Sequence, residues 1–496
     1  MLPRGLFVLL LALSAFSAVN FSPAEKAAID TVSADSLKAH VSFLASDALE
    51  GRDTPSKGLE VAGEYLAAQF RRLRLEPAGD NGTFFQVAPY EKITPVTEGL
   101  EIELISQGKS LKLAAKDVAV VASSAAAITA APVLKLDPSD DAAVQAALAA
   151  GLQGKAVFLD TAAIMNAPAE ERMPRMRRAM ASRGKLAAAG PALLLSPAFG
   201  MRESSTLREA GAEGSGVPAA QIFLADATSL LRGPDSVTLN AKIPAPQVEK
   251  VDLRNVAAIL RGSDPKLKET YLLVSAHYDH IGVARAGDGD RIRNGANDDA
   301  SGTAAVVEVA EAIVRSGQRP KRSIVFLCYF GEEKGLFGSR YYARRPMFPL
   351  KQTVGNLNLE QLGRVDDTNG DRTGKLTASG FTYTSMGDVL REQSARVGIE
   401  AWNDEKNSEA FFPRSDNQAL ADAGVPAITL CVAWTFPDYH RPGDHWEKLD
   451  YPNLERVTRA ITLTALSIAN NDKAPTWVDN GKTTRYVEAA RKLAAQ

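Results

Sequence analysis

The sequence predicts an α/β protein built on a mixed, mainly parallel sheet sandwiched by helices, and three observations carry that prediction. From Asn255 onward, strand-like and helix-like stretches alternate: NVAAILRG, YLLVSAH, SGTAAVVEVAEAIVRSG, RSIVFLCYF, VGNLNLE and AITLCVAW. Such alternation builds βαβ units. Several of these strands are almost wholly apolar, which suits strands covered by helices on both faces. Histidines and carboxylates also follow the strands closely, where sites form in open α/β sheets.

At 496 residues the chain is long for one core, so two or three domains are expected. A formal charge of −2 supplies no attraction for nucleic acid or an anionic membrane, so neither is expected as a stable partner. The oligomeric state is not readable.

Residues 1–18 read as a signal peptide: Arg4, then the apolar run Leu6 to Leu13, then Ala15, Ser17 and Ala18. The run is short for a membrane span. The expected location is therefore secreted or periplasmic, with an uncleaved signal acting as a membrane anchor as the alternative. Residues 19–94 form a first piece, with helical spacing at Leu37, Val41 and Leu44 and again at Val61, Tyr65, Leu66, Phe70 and Leu73. EGRDTPSKG breaks the two helices, and PAGDNGTFF closes the piece.

Residues 95–247 change character. Short β-like runs (LEIELIS, DVAVVA, KAVFLD, ALLLS, AQIFL) alternate with alanine-rich helical stretches, as in an inserted smaller α/β or β-rich domain. The basic run Arg172 to Arg183 reads as a solvated helix face. This segment holds no His or Cys, so metal chemistry is not expected there. Residues 248–475 are the main piece, with further helices from Gly338, near Met386 to Val397, and from Asn453 to Asn470. Residues 476–496 form a C-terminal tail that can be helical.

The main piece carries the chemistry. His277, Asp279 and His280 lie in SAHYDH, Asp298 and Asp299 in NGANDDASG, Glu332 and Glu333 in FGEEKGLFGS, Glu360 in NLNLEQLG, and His440 and His445 in YHRPGDHWE. Each group has a bland reading alone. SAHYDH can be a polar strand end, the Asp pair can cap the helix starting near Ser301, and Glu332–Glu333 can be a solvated loop. Together they supply donors for two divalent cations. His277, Asp298, Glu333, Glu360 and His440 would serve as five ligands. If Asp298 is shared, three carboxylates and a bridging hydroxide cancel two divalent charges. Imidazole donors favour zinc or another late transition metal.

Asp279 is placed to accept the second ring N–H of His277. Of the adjacent glutamates, one can bind metal while the other takes a proton from activated water. His280 is expected to line the cleft, His445 to hydrogen-bond in a turn, and His40 to be structural. Cys328 and Cys431 sit in apolar runs and read as buried free thiols, with one disulfide as the alternative.

These stretches, with SDNQALADAGVPAI, resemble in order and spacing the zinc-dependent exopeptidase family that includes secreted aminopeptidases, glutamate carboxypeptidase and glutaminyl cyclases. The resemblance implies the zinc exopeptidase fold and two zinc ions, one held by His277 and Glu360, the other by Glu333 and His440, with Asp298 bridging. It implies Glu332 as general base and acid, Asp279 as a supporting carboxylate, and a cis peptide at Asp298–Asp299. The chain departs from the family at Glu360, where aspartate is common, and at Asn417, where histidine is common. LASDALEGR resembles the family's N-terminal piece, and GKAVFLD, GKLAAAGPALLL and VPAAQIFL resemble its protease-associated insert.

The expected function is an exported dizinc metallo-aminopeptidase acting on peptides or proteins through a metal-bridging hydroxide, with Glu332 as general base. Alternatives are a glutamate-type carboxypeptidase, for which Arg414 and Arg364 are candidate carboxylate binders, and an inactive binding protein on the same fold. Phe411, Phe412 and Trp434 are candidates for either an apolar pocket or the core. The middle domain is expected to limit access to the cleft.

Overall fold

A computed structural model describes residues 20–198, 205–212, 216–284 and 289–495. The expected signal peptide at residues 1–18 lies outside them. The chain divides into two compact units, Met1–Ala88 with Leu253–Gln496, and Pro89–Asp252.

The first unit is organised by four adjacent parallel strands in the spatial order Ala427–Cys431, Thr353–Leu359, Tyr271–His277 and Ser323–Tyr329. Antiparallel strands extend both sides: Lys375–Ser379 beside Ala427–Cys431, and Gln247–Leu260 beside Ser323–Tyr329. The sheet is thus mixed with a parallel centre. Every residue of Tyr271–His277 and Ser323–Tyr329 is buried, so the near-continuous apolar runs reflect cover on both faces. Alternate residues divide between those faces. Leu273, Val325, Leu327 and Tyr329 pack with Tyr342 and Leu420 on one side. The helices Ala34–Leu44, Ser301–Arg315 and Tyr451–Asn470 pack together on the other. Fully burying each such side chain contributes about 1.5–3 kcal/mol.

Local signals agree with this packing. Ser33 and Ser56 accept amides at the starts of Ala34–Leu44 and Lys57–Arg72, and Asp450 does the same for Tyr451–Asn470. The tail contains the helix Thr484–Ala495, whose Tyr486 packs into the same core as Leu420. Among the described residues, no helix is long and apolar enough to cross a membrane.

The second unit carries a mixed eight-stranded sheet in which Ala126–Leu136, Ala156–Leu159, Leu193–Pro197 and Ala219–Ile222 run parallel. Its core is built from Leu104, Val118, Phe158, Leu195 and Leu239. The basic stretch lies on the helix Ala169–Ala188, where Arg177 and Arg183 are exposed, and Arg175 pairs with Glu171 at 2.8 Å. Strands Phe85–Thr94 and Gln247–Leu260 run through the two junctions between the units.

Candidate metal centre

The four parallel strands deliver the donors at their C-terminal ends. His277 ends Tyr271–His277, Glu360 follows Leu359 directly, Glu332 and Glu333 come three and four residues after Tyr329, and His440 lies nine residues beyond Cys431. Asp298 comes from the turn Ala296–Ala300 that leads into the helix Ser301–Arg315.

These side chains meet. His277 Nε2 is 3.3 Å from Asp298 Oδ1, and His440 Nε2 is 3.0 Å from Asp298 Oδ2 and 3.3 Å from Glu333 Oε1. Two donor groups share Asp298: His277, Asp298 and Glu360 form one, and His280, Asp298 and Glu333 the other, with ligand atoms in each within 4.8 Å of one another. His277 Nε2, His440 Nε2, Glu333 Oε1 and Glu360 Oε2 are buried without an aligned hydrogen-bond partner among the described residues. Close but misaligned donors, with lone pairs converging on shared space, fit divalent cations better than they fit a hydrogen-bond network. Nitrogen and oxygen donors in this mixture suit zinc.

Adjacent residues here have separate roles. Asp298 faces the donors, whereas Asp299 Oδ1 accepts the Gly302 amide at 2.9 Å and the Gln361 amide at 3.2 Å. The helix-capping reading therefore belongs to Asp299, the ligand reading to Asp298. Their peptide bond is cis.

Asp279 differs from expectation. Its carboxylate lies 3.6 Å from His277 Nδ1, while its backbone carbonyl lies 3.2 Å from that nitrogen. The carboxylate is already engaged, accepting the Glu332 amide at 3.0 Å and the Thr54 hydroxyl at 3.0 Å. It orients the loop carrying Glu332. Burial pushes the Glu332 carboxyl well above the usual carboxylate range, and the neighbouring Glu360 and Glu333 carboxylates add to this while His277 opposes it.

Three buried groups were not singled out from the sequence. Arg52 of LASDALEGR is 1% exposed, and its guanidinium donates to the carbonyls of Tyr278 (2.9 Å), Asn294 (2.7 Å), Gly295 (3.0 Å) and Leu44. It ties the His277 strand end to the Asp298 turn, and burial pushes it down to about 10. Asp444 accepts the Asn297 amide at 3.0 Å and the Asp298 amide at 3.2 Å, holding that turn from the opposite side. Asp416 of SDNQAL is fully buried, and burial pushes it up to about 7. Asp444 was visible only as a turn residue, because the amides it accepts are over a hundred positions away.

Beside the donors is a cavity of about 320 Å³, lined by Glu332, Glu360, Phe411, Trp434, Tyr439 and the guanidinium-bearing Arg340 and Arg414. Phe411 and Trp434 stack at 4.9 Å, and Trp434 Nε1 donates to Asp404 at 3.0 Å. Phe412 is in the core instead. Arg364 is taken up by Asp366 (2.6 Å) and Asp438 (2.9 Å). His445 pairs with Asp290 at 3.3 Å, and His40 shares a 2.8 Å hydrogen bond with Tyr65, so neither joins the centre. Cys328 and Cys431 are buried and free, with burial pushing both thiols up.

A carboxylate–imidazole donor set at the C-terminal edge of a helix-covered, mainly parallel sheet is an arrangement able to hold divalent metal. Residues 255–465 match the model of Peptidase family M28. A probable zinc metalloprotease of Pyricularia oryzae is 29% identical over 214 residues, covering 42% of this chain and 40% of that protein. A probable glutamate carboxypeptidase of Zea mays is 26% identical over 244 residues, covering 45% of this chain and 31% of that protein. The chain thus spans less than half the length of these two relatives. Among solved structures, the aminopeptidase from Aneurinibacillus sp. strain AM-1 has a TM-score of 0.61 at 19% identity, covering 91% of this chain and 97% of that one. A zinc aminopeptidase from Bacillus subtilis has a TM-score of 0.51 at 18% identity, covering 89% and 96%. At such identities the likeness is one of fold.

Proposed function

We propose that the chain is an exported dizinc exopeptidase that removes N-terminal residues from peptides. The observation that carries this reading is the position of Asp298 between His277 and Glu360 on one side and Glu333 and His440 on the other, beside a cavity that Glu332 lines. His277, Glu360 and Asp298 would hold one zinc, and Glu333, His440 and Asp298 the other. Zinc bound there would supply Lewis acidity, polarising a peptide carbonyl and acidifying water. Glu332 takes the proton released by the attacking water and returns it to the leaving amine. Asp279 keeps Glu332 in place through its amide. The stacked Phe411 and Trp434 form an apolar wall for a substrate side chain. The unit Pro89–Asp252 is read as a protease-associated insert, and residues 1–18 as the export signal.

Glu332→Gln is expected to keep its metal content while kcat on an aminoacyl reporter falls roughly 100- to 10,000-fold. Unchanged turnover in that variant would remove Glu332 from the mechanism.

A second reading, release of a C-terminal residue, is favoured by Arg340 and Arg414, which line the same cavity and can pair with a carboxylate. Peptides with a free and with an amidated C-terminus separate the two. An aminopeptidase cleaves both at the N-terminus, whereas a carboxypeptidase loses the amidated one.

A further inference from the structure

His280 stands out among the groups that the proposed roles do not use. It is fully buried, yet neither ring nitrogen has an aligned hydrogen-bond partner among the described residues. Leaving Nε2 dry and unpaired costs free energy, and native interiors rarely tolerate it. Its Nδ1 lies 2.8 Å from Glu333 Oε1, in a contact that lacks hydrogen-bond alignment. The same carboxylate oxygen is 3.3 Å from His440 Nε2, which is 3.0 Å from Asp298 Oδ2. Donors about 2.0–2.1 Å from one tetrahedral zinc lie roughly 3.3 Å apart, and His280, Asp298 and Glu333 offer ligand atoms within 4.8 Å of one another.

The main chain of His280 is fixed by contacts other than Glu333. The His280 amide donates to the Arg52 carbonyl at 3.2 Å, and residue 280 bridges Asp53. Gly295 has φ 62°, and a Cβ on it would come 2.5 Å from His280 Cγ and 2.6 Å from Cδ2. The turn that carries Asp298 thus begins with a residue that leaves room for this imidazole. His280 and His440 meet edge to face at 5.6 Å.

We propose that His280 is a further ligand of the cation on the Glu333 side, so that this site is held by His280, His440, Glu333 and Asp298. The inference rests on the metal-centre reading given above. It makes the two sites unequal, one with a single imidazole (His277) and one with two. The two-imidazole site should be the tighter for zinc, and the richer in nitrogen.

The test is proton NMR of the mature chain loaded with cobalt(II) at both sites, because a coordinated imidazole shows a strongly shifted exchangeable N–H signal. Three such signals are expected in the unaltered protein. In His280→Asn one should vanish, and one of the two metal equivalents should bind at least 100-fold more weakly while the other keeps its affinity. Two shifted signals in the unaltered protein would overturn the proposal whether or not the variant folds. So would a folded variant that binds both equivalents as tightly as before, since His280 would then only brace the Glu333 carboxylate. If the protein takes up no cobalt or zinc, the metal-centre reading itself falls, and this inference with it.

Discussion

Asp298 and Asp299 are neighbours in sequence, but one faces His277 and His440 while the other secures the start of a helix by accepting the Gly302 amide. Metal-ligand chemistry and helix capping were both legible in NGANDDASG, since aspartate serves either purpose. Which residue does which depends on backbone direction, which spacing alone does not give. His277, Glu333, Glu360 and His440 were legible because each follows an apolar strand closely. His280 was read only as lining the cleft, because its sequence neighbours His277 and Asp279 already accounted for the motif. Arg52 was not legible as a structural cation. Its carbonyl partners at Tyr278, Asn294 and Gly295 are more than two hundred positions away.

His40 gives a prediction at this scale. Burial, with Arg72 adding, pushes it down to about 4 from an ordinary 6.5, so the folded protein holds it neutral. The unfolded chain takes up a proton as pH falls through 6.5, and the folded one does so only near 4. Stability that is complete above pH 6.5 is therefore lost on acidification toward pH 4, by about 3 kcal/mol from this group. Urea midpoints of His40→Gln should fall less steeply than those of the unaltered protein across that interval. Parallel curves would show that His40 does not titrate as described.

The parallel strands are the elements that place the site. Their apolar runs fixed the expectation of a doubly covered sheet, and the buried faces of Tyr271–His277 and Ser323–Tyr329 agree with it. The contact between the Ser301–Arg315 helix and the end of Thr353–Leu359 was not legible. A Cβ on Gly302 would come 2.4 Å from the Leu359 carbonyl oxygen and 2.5 Å from Asp299 Oδ1. Gly302→Ala must therefore push the helix start away from the strand end that precedes Glu360. Overpacking of this kind costs about 1–3 kcal/mol. The variant should melt earlier and bind zinc more weakly. A variant with an unchanged melting temperature and unchanged zinc affinity would contradict the close approach.

On the scale of the whole molecule, the structure holds two compact units, and the middle segment of the sequence carries no histidine. Strand ends could not be located from composition, because Phe85–Thr94 and Gln247–Leu260 continue across both junctions. All the donors lie in the first unit. Zinc should then stabilise that unit by mass action, by about 4 kcal/mol at a thousandfold excess over Kd, and leave the other unaffected. Calorimetry should show one transition that moves with free zinc and one that does not. Two transitions moving equally, or neither moving, would contradict that assignment.

The proposal that two cations share one aspartate is tested most directly by the metal content of purified protein, beside that of Asp298→Ala, after dialysis against zinc at a fixed free concentration. Two zinc ions per chain are expected in the unaltered protein, with both sites greatly weakened in the variant because each loses the same ligand. One ion or none in the unaltered protein, or a variant that still holds two, would contradict the account.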